Sequence, residues 1–280
     1  MNYNVTYPYD VAVAVRVCDR SAVKPNLLDL TDRKQLILAS MTSLAQSLSK
    51  VRAYCYLMLD CEDDLAEKIL SLFSSLPNAT DRRRLDWRQS FHEQARWLAN
   101  QSVSGLACAC EDDYLYRPDC FLAAVEFMRL YPSADALSLA YHAEYERRWV
   151  DRWSGSSPAD RPVYCSQRHW VRQVSCTHSF LMRTSAVQSA LPTLLRRTNE
   201  TGDLGLWLAL TKLRVRNPWS LVRGWGDGKF IVGSIGLAWL YHWRQILKGR
   251  QYLLYAPKPT LATHLERCSA SLTWDQGDYK

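Results

Sequence analysis

The sequence predicts an α/β fold in which a mostly parallel sheet is flanked by helices. Residues 11–17 read Val-Ala-Val-Ala-Val-Arg-Val, a run typical of a strand that is covered on both faces. Residues 106–110, Leu-Ala-Cys-Ala-Cys, form a second apolar run, which ends abruptly in acidic residues. Strand-like and helix-like patterns alternate between the two runs, and this alternation favours parallel strands with helical connections.

Composition sets bounds on the class of protein. The chain has 280 residues, of which 48% are hydrophobic, so it has material for one large domain with a core. Its 35 basic and 28 acidic residues give a net charge of +7, a modest excess that suits a polyanionic ligand without requiring one. The nine cysteines are an odd number and no secretory signal precedes them, so we expect reduced thiols in a cytoplasmic protein.

The first half alternates strands and helices, and its strands end in polar residues. Asp60 follows the second strand, and Cys18, Asp19 and Arg20 close the first. The predicted elements are strands over 10–18 and 52–59 and helices over 31–50, 65–76 and 87–100.

Three acids, Glu111, Asp112 and Asp113, follow the apolar run at 106–110. They would lie at the C-terminal edge of the sheet, where open α/β folds bind ligands. Three adjacent carboxylates repel one another, which is easiest to understand if a cation lies between them. Hard oxygen ligands of this kind suit Mg²⁺ or Mn²⁺ carrying a substrate diphosphate. The alternative is a solvated acidic turn that caps a helix starting at Pro118.

The second half is less regular. We expect a short strand over 136–141, a long basic loop over 142–172 that could act as a lid, and a strand over 171–182. Helices follow from Ser185 and over 204–213. An amphipathic basic segment over 240–255 comes next, and Pro257 and Pro259 then break the chain.

Together these features resemble the GT-A glycosyltransferases, in the large inverting class that contains family 2. The most specific part is Glu-Asp-Asp-Tyr-Leu-Tyr-Arg-Pro at 111–118, similar to the family's Asp-any-Asp metal motif with Glu in first place. The resemblance implies a single GT-A domain over 1–213, with a nucleotide-binding half over about 1–118 and an acceptor half over about 119–213. Residues 214–280 would form a C-terminal helical extension and tail.

The resemblance also assigns roles to individual residues. Asp113 and His264 are expected to bind the metal, and Asp203, before a helix in the second half, is similar in position to the catalytic carboxylate. Asp203 lacks the acidic neighbour that many family members carry immediately before it, since Gly202 stands there. The residues expected to bind the nucleotide are Arg16, Val17, Cys18, Asp60, Glu111 and Asp112.

The implied activity is metal-dependent transfer of a sugar from a nucleotide-diphosphate sugar, UDP-sugar favoured, to an acceptor hydroxyl with inversion. The cofactor would be Mn²⁺ or Mg²⁺. The acceptor stays open among a glycan, a lipid-linked sugar, a protein and a nucleic acid. Residues 238–255 carry Trp and Leu together with Arg and Lys, which also indicates a peripheral membrane contact.

Several alternatives stay open. Asp203 would be a good N-cap for its helix, and Asp113 could serve as a cap as well. A sugar-phosphate nucleotidyltransferase usually has a glycine-rich loop after its first strand, but residues 16–26 contain no glycine. A nucleic-acid-binding or nucleic-acid-modifying protein would suit the net charge, although no recognised binding motif appears. Cys108, Cys110 and Cys120 fit no common zinc spacing.

Overall fold

The computed structural model describes residues 6–142, 162–177, 179–196, 202–213, 215 and 229–265. Its strands are β1 (Val11–Cys18), β2 (Ala53–Asp60), β3 (Asn78–Asp81), β4 (Leu106–Glu111), β5 (Tyr114–Tyr116), β6 (Ala136–Ser138), β7 (Val163–Cys165), β8 (Arg168–Arg172), β9 (Phe180–Arg183), β10 (Leu254–Lys258) and β11 (Ala262–His264). Its helices are α1 (Arg33–Leu48), α2 (Asp63–Leu72), α3 (Trp87–Ala99), α4 (Cys120–Leu130), α5 (Thr184–Leu194), α6 (Gly202–Thr211) and α7 (Lys229–Lys248).

Nine of these strands form one mixed sheet in the order β3-β2-β1-β4-β9-β6-β10-β8-β7. Strands β3, β2, β1 and β4 are mutually parallel. Within the sheet only β8 and β9 run against the common direction. The predicted fold class, α/β with a mostly parallel sheet flanked by helices, is therefore confirmed.

The alternating Val and Ala residues of β1 face two different helical layers. Val13 and Val15 belong to a core that includes α1, α2 and α4. Ala14 points to the opposite core, which is built from α3, α5 and α6. Small alanines on that side leave room for α3 to approach the sheet, so the residue alternation of β1 separates a thick layer from a thin one.

Side-chain caps fix the starts of two helices that border the candidate site. Asp32 Oδ1 accepts a hydrogen bond of 2.9 Å from the Lys34 backbone N–H at the start of α1. Asp86 Oδ1 accepts one of 2.7 Å from the Gln89 N–H at the start of α3. These caps satisfy backbone donors that a helix leaves without partners at its N-terminus.

Two expectations for the second half are wrong. Residues 171–182 do not form one strand, because β8 ends at Arg172 and β9 begins only at Phe180. The proposed basic loop over 142–172 ends in a hairpin, β7–β8, in which Val163 pairs with Trp170. Residues 143–161 of that loop lie outside the described residues.

The stretch expected to be a helical C-terminal extension also supplies strands. Strand β10 lies inside the large sheet between β6 and β8, and β11 pairs with β5. The chain therefore runs through Pro257 as a strand, although we expected a break there. In the described residues β6 pairs only with Leu254 and Tyr255, so the missing N–H of Pro257 interrupts no ladder on that side.

Helix α7 ends at Lys248, and this shortens the predicted membrane segment. Residues 254–258 belong to β10, with Leu254 and Tyr255 buried in the sheet, so a surface contact can involve only the helical part of 238–255. In the part of the chain that the structure describes, no helix combines the length and the apolar character needed to span a bilayer.

Candidate functional site

A cavity of about 210 Å³ lies beyond the C-terminal ends of β1 and β2, beside the start of α3. Four of the six residues predicted to bind nucleotide line it: Arg16, Val17, Cys18 and Asp60. Cys18 lies opposite Asp60 in the parallel pair of β1 and β2, so the two strand ends deliver these side chains to one place. The structure thus brings Asp60 next to residues of β1 that lie 42 positions or more before it in the sequence.

The segment between β3 and α3 supplies a third wall that the sequence did not predict. Arg83, Asp86 and Trp87 line the cavity from this side. Arg83 Nε donates a 2.7 Å hydrogen bond to Asp81 Oδ2, and that bond, as the largest cause, lowers the pKa of Asp81 to about 2. Asp81 therefore stays ionised and holds Arg83 in place. The sequence signal for this wall is the run Arg82-Arg83-Arg84, a charge run of the kind that most often lies on a solvated surface.

Glu111 contacts the cavity through a neighbouring arginine. Arg16 and Glu111 are partners in the β1–β4 ladder, and Arg16 Nη2 donates to Glu111 Oε1 at 2.5 Å. The same guanidinium reaches Ser90 Oγ at 3.3 Å through Nη1. Asp60 is likewise ion-paired with Arg20. Both predicted acids therefore orient cations that border the cavity.

Asp112 joins three parts of the site. Its Oδ2 accepts a 2.7 Å hydrogen bond from the Cys18 backbone N–H, and its Oδ1 accepts one of 2.6 Å from Arg33 Nη2. Arg33 Nη2 also donates to the Cys18 carbonyl at 3.2 Å. Burial raises the pKa of Asp112 to about 6, and the Arg33 charge opposes that rise. We call the contacts of Asp112, Arg33 and Cys18 the Asp112 clasp, since they tie the end of β1 to β4 and α1.

Asp113 and His264 meet although 151 residues separate them. His264 Nε2 lies 3.1 Å from Asp113 Oδ2. Strand β11 pairs with β5 so that His264 stands opposite Tyr114, the residue after Asp113. The Leu265 backbone N–H also donates to the Asp113 carbonyl at 2.7 Å. Two backbone pairings thus fix the position of both side chains.

The second carboxylate oxygen of Asp113 suits a cation. Asp113 Oδ1 is buried and has no hydrogen-bond partner among the described residues, which is costly unless a ligand supplies one. Two adjacent ligands of an octahedral Mg²⁺ or Mn²⁺ ion at about 2.0–2.1 Å lie roughly 3 Å apart, close to the separation of Asp113 and His264. An imidazole ligand favours Mn²⁺ of the two. These residues fit the predicted metal.

The described residues supply only part of a coordination shell. Among them, no group of three Asp, Glu, His or Cys side chains is placed to hold an ion. A magnesium-type site commonly completes its shell with water and substrate phosphates. The cysteines raise no competing site, since the eight in the described ranges are free thiols and burial raises the pKa of Cys108 and Cys120.

Tyr114 forms a buried wall beside this pair. Its hydroxyl donates a 2.5 Å hydrogen bond to Thr177 Oγ1, and its ring centroid lies 4.9 Å from that of His264. Burial raises the pKa of Tyr114 well above its usual range, and the charges of Asp113 and Asp203, among others, raise it further. The phenol is therefore neutral, and Asp203 lies near enough to influence it.

Asp203 occupies the first turn of α6, which begins at Gly202. Its charge also contributes, after burial, to the raised pKa of Cys176. Gly202 has a φ of +52°, a left-handed conformation that glycine adopts without a steric penalty. This backbone conformation suits a glycine at position 202, immediately before Asp203. Both readings of Asp203, catalytic carboxylate and helix-terminal acid, agree with its place.

His142 belongs to the same region and escaped the sequence analysis. It is buried, and burial, followed by the nearby His264, lowers its pKa to about 4. The chain reaches this place because Ala140 bridges to Ala262, the first residue of β11. The only sequence signal was its position just after the predicted strand at 136–141.

A second cavity, of about 350 Å³, lies at the opposite end of β1 and is lined by Tyr7, Asp10 and Gly105 among others. Its carboxylate is already engaged, because Asp10 Oδ1 accepts from Arg52 at 2.8 Å and from Arg129 at 2.5 Å. It lies at the N-terminal ends of the parallel strands, away from the edge at which open α/β sheets bind ligands.

Comparisons with known proteins find only distant likeness. No protein-family model matches the chain, and no curated protein matches it. The crystal structure of S. aureus TarS is similar over 71% of this chain and 32% of TarS, with 11% identity and a TM-score of 0.42. The crystal structure of S. aureus TarS 1–349 in complex with UDP is similar over 68% of this chain and 56% of that one, with 12% identity and a TM-score of 0.40.

A third similar structure is 4-diphosphocytidyl-2C-methyl-D-erythritol synthase from Anaerococcus prevotii, with 10% identity and a TM-score of 0.41 over 71% of this chain and 80% of that one. The chain spans about a third of TarS and just over half of its 1–349 fragment. At these values none of the three assigns a family or an activity to this chain.

Proposed function

We propose that this protein is a metal-dependent glycosyltransferase that moves a sugar from a nucleotide-diphosphate sugar to an acceptor hydroxyl. One observation carries the proposal. The cavity that gathers Arg16, Val17, Cys18 and Asp60 is tied by the Asp112 clasp to the next residue, Asp113, whose buried Oδ1 has no partner in the described residues. A nucleotide site and a candidate cation site therefore adjoin at the ligand-binding edge of the sheet.

The cavity supports a nucleotide base together with a neighbouring diphosphate. Its three arginines, Arg16, Arg20 and Arg83, favour an anionic ligand. The Asp60 carboxylate accepts hydrogen bonds only, so it suits the N3–H donor of uracil better than the N3 acceptor of cytosine. This chemistry agrees with the UDP preference that the family resemblance implies.

Asp113 and His264 would hold the divalent ion, with Tyr114 packing against His264. A bound Mn²⁺ or Mg²⁺ would neutralise negative charge on the departing nucleoside diphosphate, a Lewis-acid effect of several kcal/mol. Asp112 acts as a positioning residue in this proposal, because both its oxygens already accept hydrogen bonds within the clasp. Glu111 likewise orients Arg16.

Asp203 would act as the general base. It takes the proton from the acceptor hydroxyl as the acceptor oxygen forms its bond to the anomeric carbon. The bond from that carbon to the diphosphate oxygen breaks at the same time, so a single displacement inverts the anomeric centre. General-base assistance of this kind contributes roughly a hundred- to ten-thousand-fold to the rate. The effect of Asp203 on the buried Tyr114 supports its closeness to the metal residues.

Helix α7 supports peripheral contact with a membrane during this reaction. Leu240, Trp243 and Leu247 are spaced by three and four residues and are 67%, 42% and 61% exposed. Arg244 lies beside them, with its guanidinium 5.2 Å from the Trp243 ring centroid. Exposed apolar residues flanked by cations are typical of helices that lie at an anionic lipid surface. A lipid-linked acceptor would be presented at such a surface.

The proposal is tested by thermal shift of the full chain with UDP, GDP, ADP, CMP and TDP, each with Mn²⁺, with Mg²⁺ and with EDTA. A ligand at 100 times its dissociation constant stabilises the native state by roughly 2.7 kcal/mol. We expect UDP with Mn²⁺ to give the largest rise in Tm and EDTA to abolish it. If no nucleotide shifts Tm under any condition, the proposed donor site does not exist. Salt-sensitive binding of nucleic acid, independent of metal, would then favour the alternative function.

A further inference from the structure

A third cavity, of about 200 Å³, lies between α5 and α7. Ser189, Pro192, Thr193 and Arg196 line it from α5 and the turn that follows. Pro192 and Thr193 are spaced three and four residues from Ser189, so these three lie on one face of α5, and Arg196 follows from the turn after the helix. The other wall is His242, Arg244 and Gln245 of α7. None of these residues lines the cavity at the ends of β1 and β2.

His242 is the most unusual of the lining residues. It is 1% exposed, and neither of its ring nitrogens has a hydrogen-bond partner among the described residues. An imidazole always carries at least one N–H donor, and leaving that donor buried without an acceptor costs free energy. The backbone of α7 departs from helical geometry at His242, with φ −124° and ψ 19°. A local kink therefore sets a buried imidazole into the wall of the cavity.

Two guanidinium groups accompany this imidazole. In the described part of the chain no carboxylate is ion-paired with Arg196 or Arg244, and no acidic residue lines the cavity. Burial lowers the pKa of His242 to about 4, and the charge of the nearby Arg196 contributes to this shift. Two guanidinium groups and the His242 ring, whose nitrogens have no partner among the described residues, therefore line one space. Among the described lining residues, no negatively charged hydrogen-bond acceptor faces them.

We propose that this cavity binds a phosphate group, held by Arg196 and Arg244 with an oxygen accepting from His242. The arginine fork matches phosphate oxygens in two parallel hydrogen bonds. The hydroxyl of Thr193 is a further donor on the same wall. The space is smaller than the roughly 300–1,000 Å³ of pockets that enclose whole drug-sized ligands, so it suits a single group, such as the phosphate of a larger molecule.

The phosphate group has two possible sources with the same chemistry. One is a soluble phosphate ester, and the other is the headgroup of an anionic lipid. The lipid source is supported because Arg244 lines the cavity and also lies over the ring of Trp243 on the exposed apolar face of α7. The recognising group is the phosphate oxyanion in either case.

The first test titrates inorganic phosphate into the full chain and follows Tm, with potassium chloride added to keep the ionic strength constant. We expect saturable stabilisation of the wild type. Arg196→Gln and Arg244→Gln should each weaken the apparent Kd by about tenfold or more, since a hydrogen bond to a charged group is lost. Lys248→Gln removes a charge from the same helix without touching the cavity, and it should leave the Kd unchanged.

Phosphate stabilisation that is absent in the wild type, or that survives unchanged in Arg196→Gln, overturns the proposal. A second readout covers the case in which a substitution perturbs folding. The ¹⁵N resonances of the His242 ring, assigned with His242→Gln, should shift on adding phosphate to the wild type and not on adding chloride. UDP binding should be unaffected in Arg196→Gln, so this site and the proposed donor site fail or succeed separately.

A second experiment distinguishes the two sources of the phosphate group. Sedimentation with phosphatidylcholine vesicles, with and without phosphatidylglycerol, is compared for the wild type and Arg244→Gln. Binding to the anionic vesicles that needs Arg244 and is displaced by inorganic phosphate assigns the site to a lipid headgroup. Saturable phosphate stabilisation without such vesicle binding assigns it to a soluble phosphate ester. Either result supports the phosphate site itself.

Discussion

The two halves of the sheet differ in how completely their polar side chains are paired. In the half formed by β1 to β4, arginines and carboxylates at the strand ends are matched to one another, as in the pairs Arg16–Glu111 and Arg33–Asp112. The half formed by β6 to β10 also has ion pairs, such as Arg250–Asp135, but several buried polar atoms there and on α7 lack partners among the described residues. Both amide atoms of Gln173 and both ring nitrogens of His242 are examples.

The difference indicates which part of the site is complete before a ligand arrives. A matched ion pair at a strand end satisfies both of its charges, so the cavity that these pairs border needs no ligand to be stable. A buried group without a partner costs free energy until a ligand supplies one. Asp113 lies at the border of the two halves, with one oxygen next to His264 and the other without a partner in the described residues. A ligand would therefore stabilise the protein most at the proposed metal position and in the second half.

The largest expected effect comes from removing the charge at that border. Asp113→Asn keeps the side-chain volume but removes the proposed metal ligand, and we expect sugar transfer to fall by about a thousandfold or more, since the metal contributes several kcal/mol. Release of nucleoside diphosphate from the donor measures this. Asp63→Asn, at an acid 95% exposed on the same edge, is the control and should transfer normally. Normal transfer by Asp113→Asn would contradict the metal assignment.

The proposed base should show a similar but more selective loss. We expect Asp203→Asn to lower kcat by roughly a hundred- to ten-thousand-fold because the acceptor proton has no carboxylate to receive it. The Kd for nucleoside diphosphate should stay within about twofold, since Asp203 lies outside the nucleotide cavity. A loss of nucleotide binding equal to the loss of rate would show that Asp203 is a structural acid at the start of α6.

Breaking one of its ion pairs tests the half of the sheet formed by β1 to β4. Asp112→Asn leaves the Arg33 guanidinium buried without its counter-charge, and breaking a buried pair costs about 3–5 kcal/mol. We expect about 3 kcal/mol in the free energy of unfolding by urea, because Arg33 keeps its bond to the Cys18 carbonyl. Arg20→Gln, in the more exposed pair with Asp60, should cost much less. Equal losses of stability in the two variants would mean that the Asp112 clasp stabilises the fold no more than the exposed Arg20–Asp60 pair does.

Two buried histidines of the second half, His142 and His242, predict a dependence of stability on pH. Burial first, and then a neighbouring side chain, lower the pKa of both His142 and His242 from 6.5 to about 4. The unfolded chain therefore binds protons that the folded one does not between these values, so stability falls as pH drops through the window. We expect each to contribute roughly 2–3 kcal/mol across it.

His242→Gln should remove its share of this slope and leave that of His142. The free energy of unfolding by urea, measured at pH 7, 6, 5 and about 4.5 in buffers without phosphate, checks the prediction. An unchanged slope in the variant would show that His242 is protonated as easily in the folded chain as in the unfolded one.

The smallest effect on stability, and a clear effect on binding, should come from the outer face of α7. Leu240→Ser with Leu247→Ser should change the free energy of unfolding by less than about 0.5 kcal/mol, since both side chains are exposed. Binding to anionic vesicles should weaken by about tenfold or more for each leucine, because each side chain contributes roughly 1.5–3 kcal/mol when buried. Leu130→Ser, 60% exposed on α4, is the matched control. Unchanged vesicle binding in the α7 variant would contradict membrane contact.

The first half was predictable because its signals are local. The Val-Ala run of β1 and the acid-terminated run of β4 each lie within one short window. The parallel order then places the strand ends together without further information. The cavity wall from Arg83 to Trp87 was missed because the four-residue strand β3 has an exposed, polar pattern that gives no apolar signal.

The second half was poorly predicted because its strands are short and pair at long range. Strands β5 and β11 have three residues each, and their pairing joins Tyr114 to His264. Strand β10 contains Pro257, which reads as a break in any local pattern. No window of the sequence contains the partners that make these segments strands. The family resemblance nevertheless pointed to His264, and the structure brings it to Asp113.

The most direct test of the central claim is the uptake of Mn²⁺ by the full chain, followed from the electron paramagnetic resonance signal of free Mn²⁺. The account predicts that adding UDP to the wild type lowers the free Mn²⁺ signal well beyond UDP alone, because Asp113, His264 and the diphosphate together bind the ion. Asp113→Asn should abolish this extra uptake, whereas Asp63→Asn should retain it. Extra uptake that persists in Asp113→Asn, or UDP binding as tight in EDTA as in Mn²⁺, would contradict it.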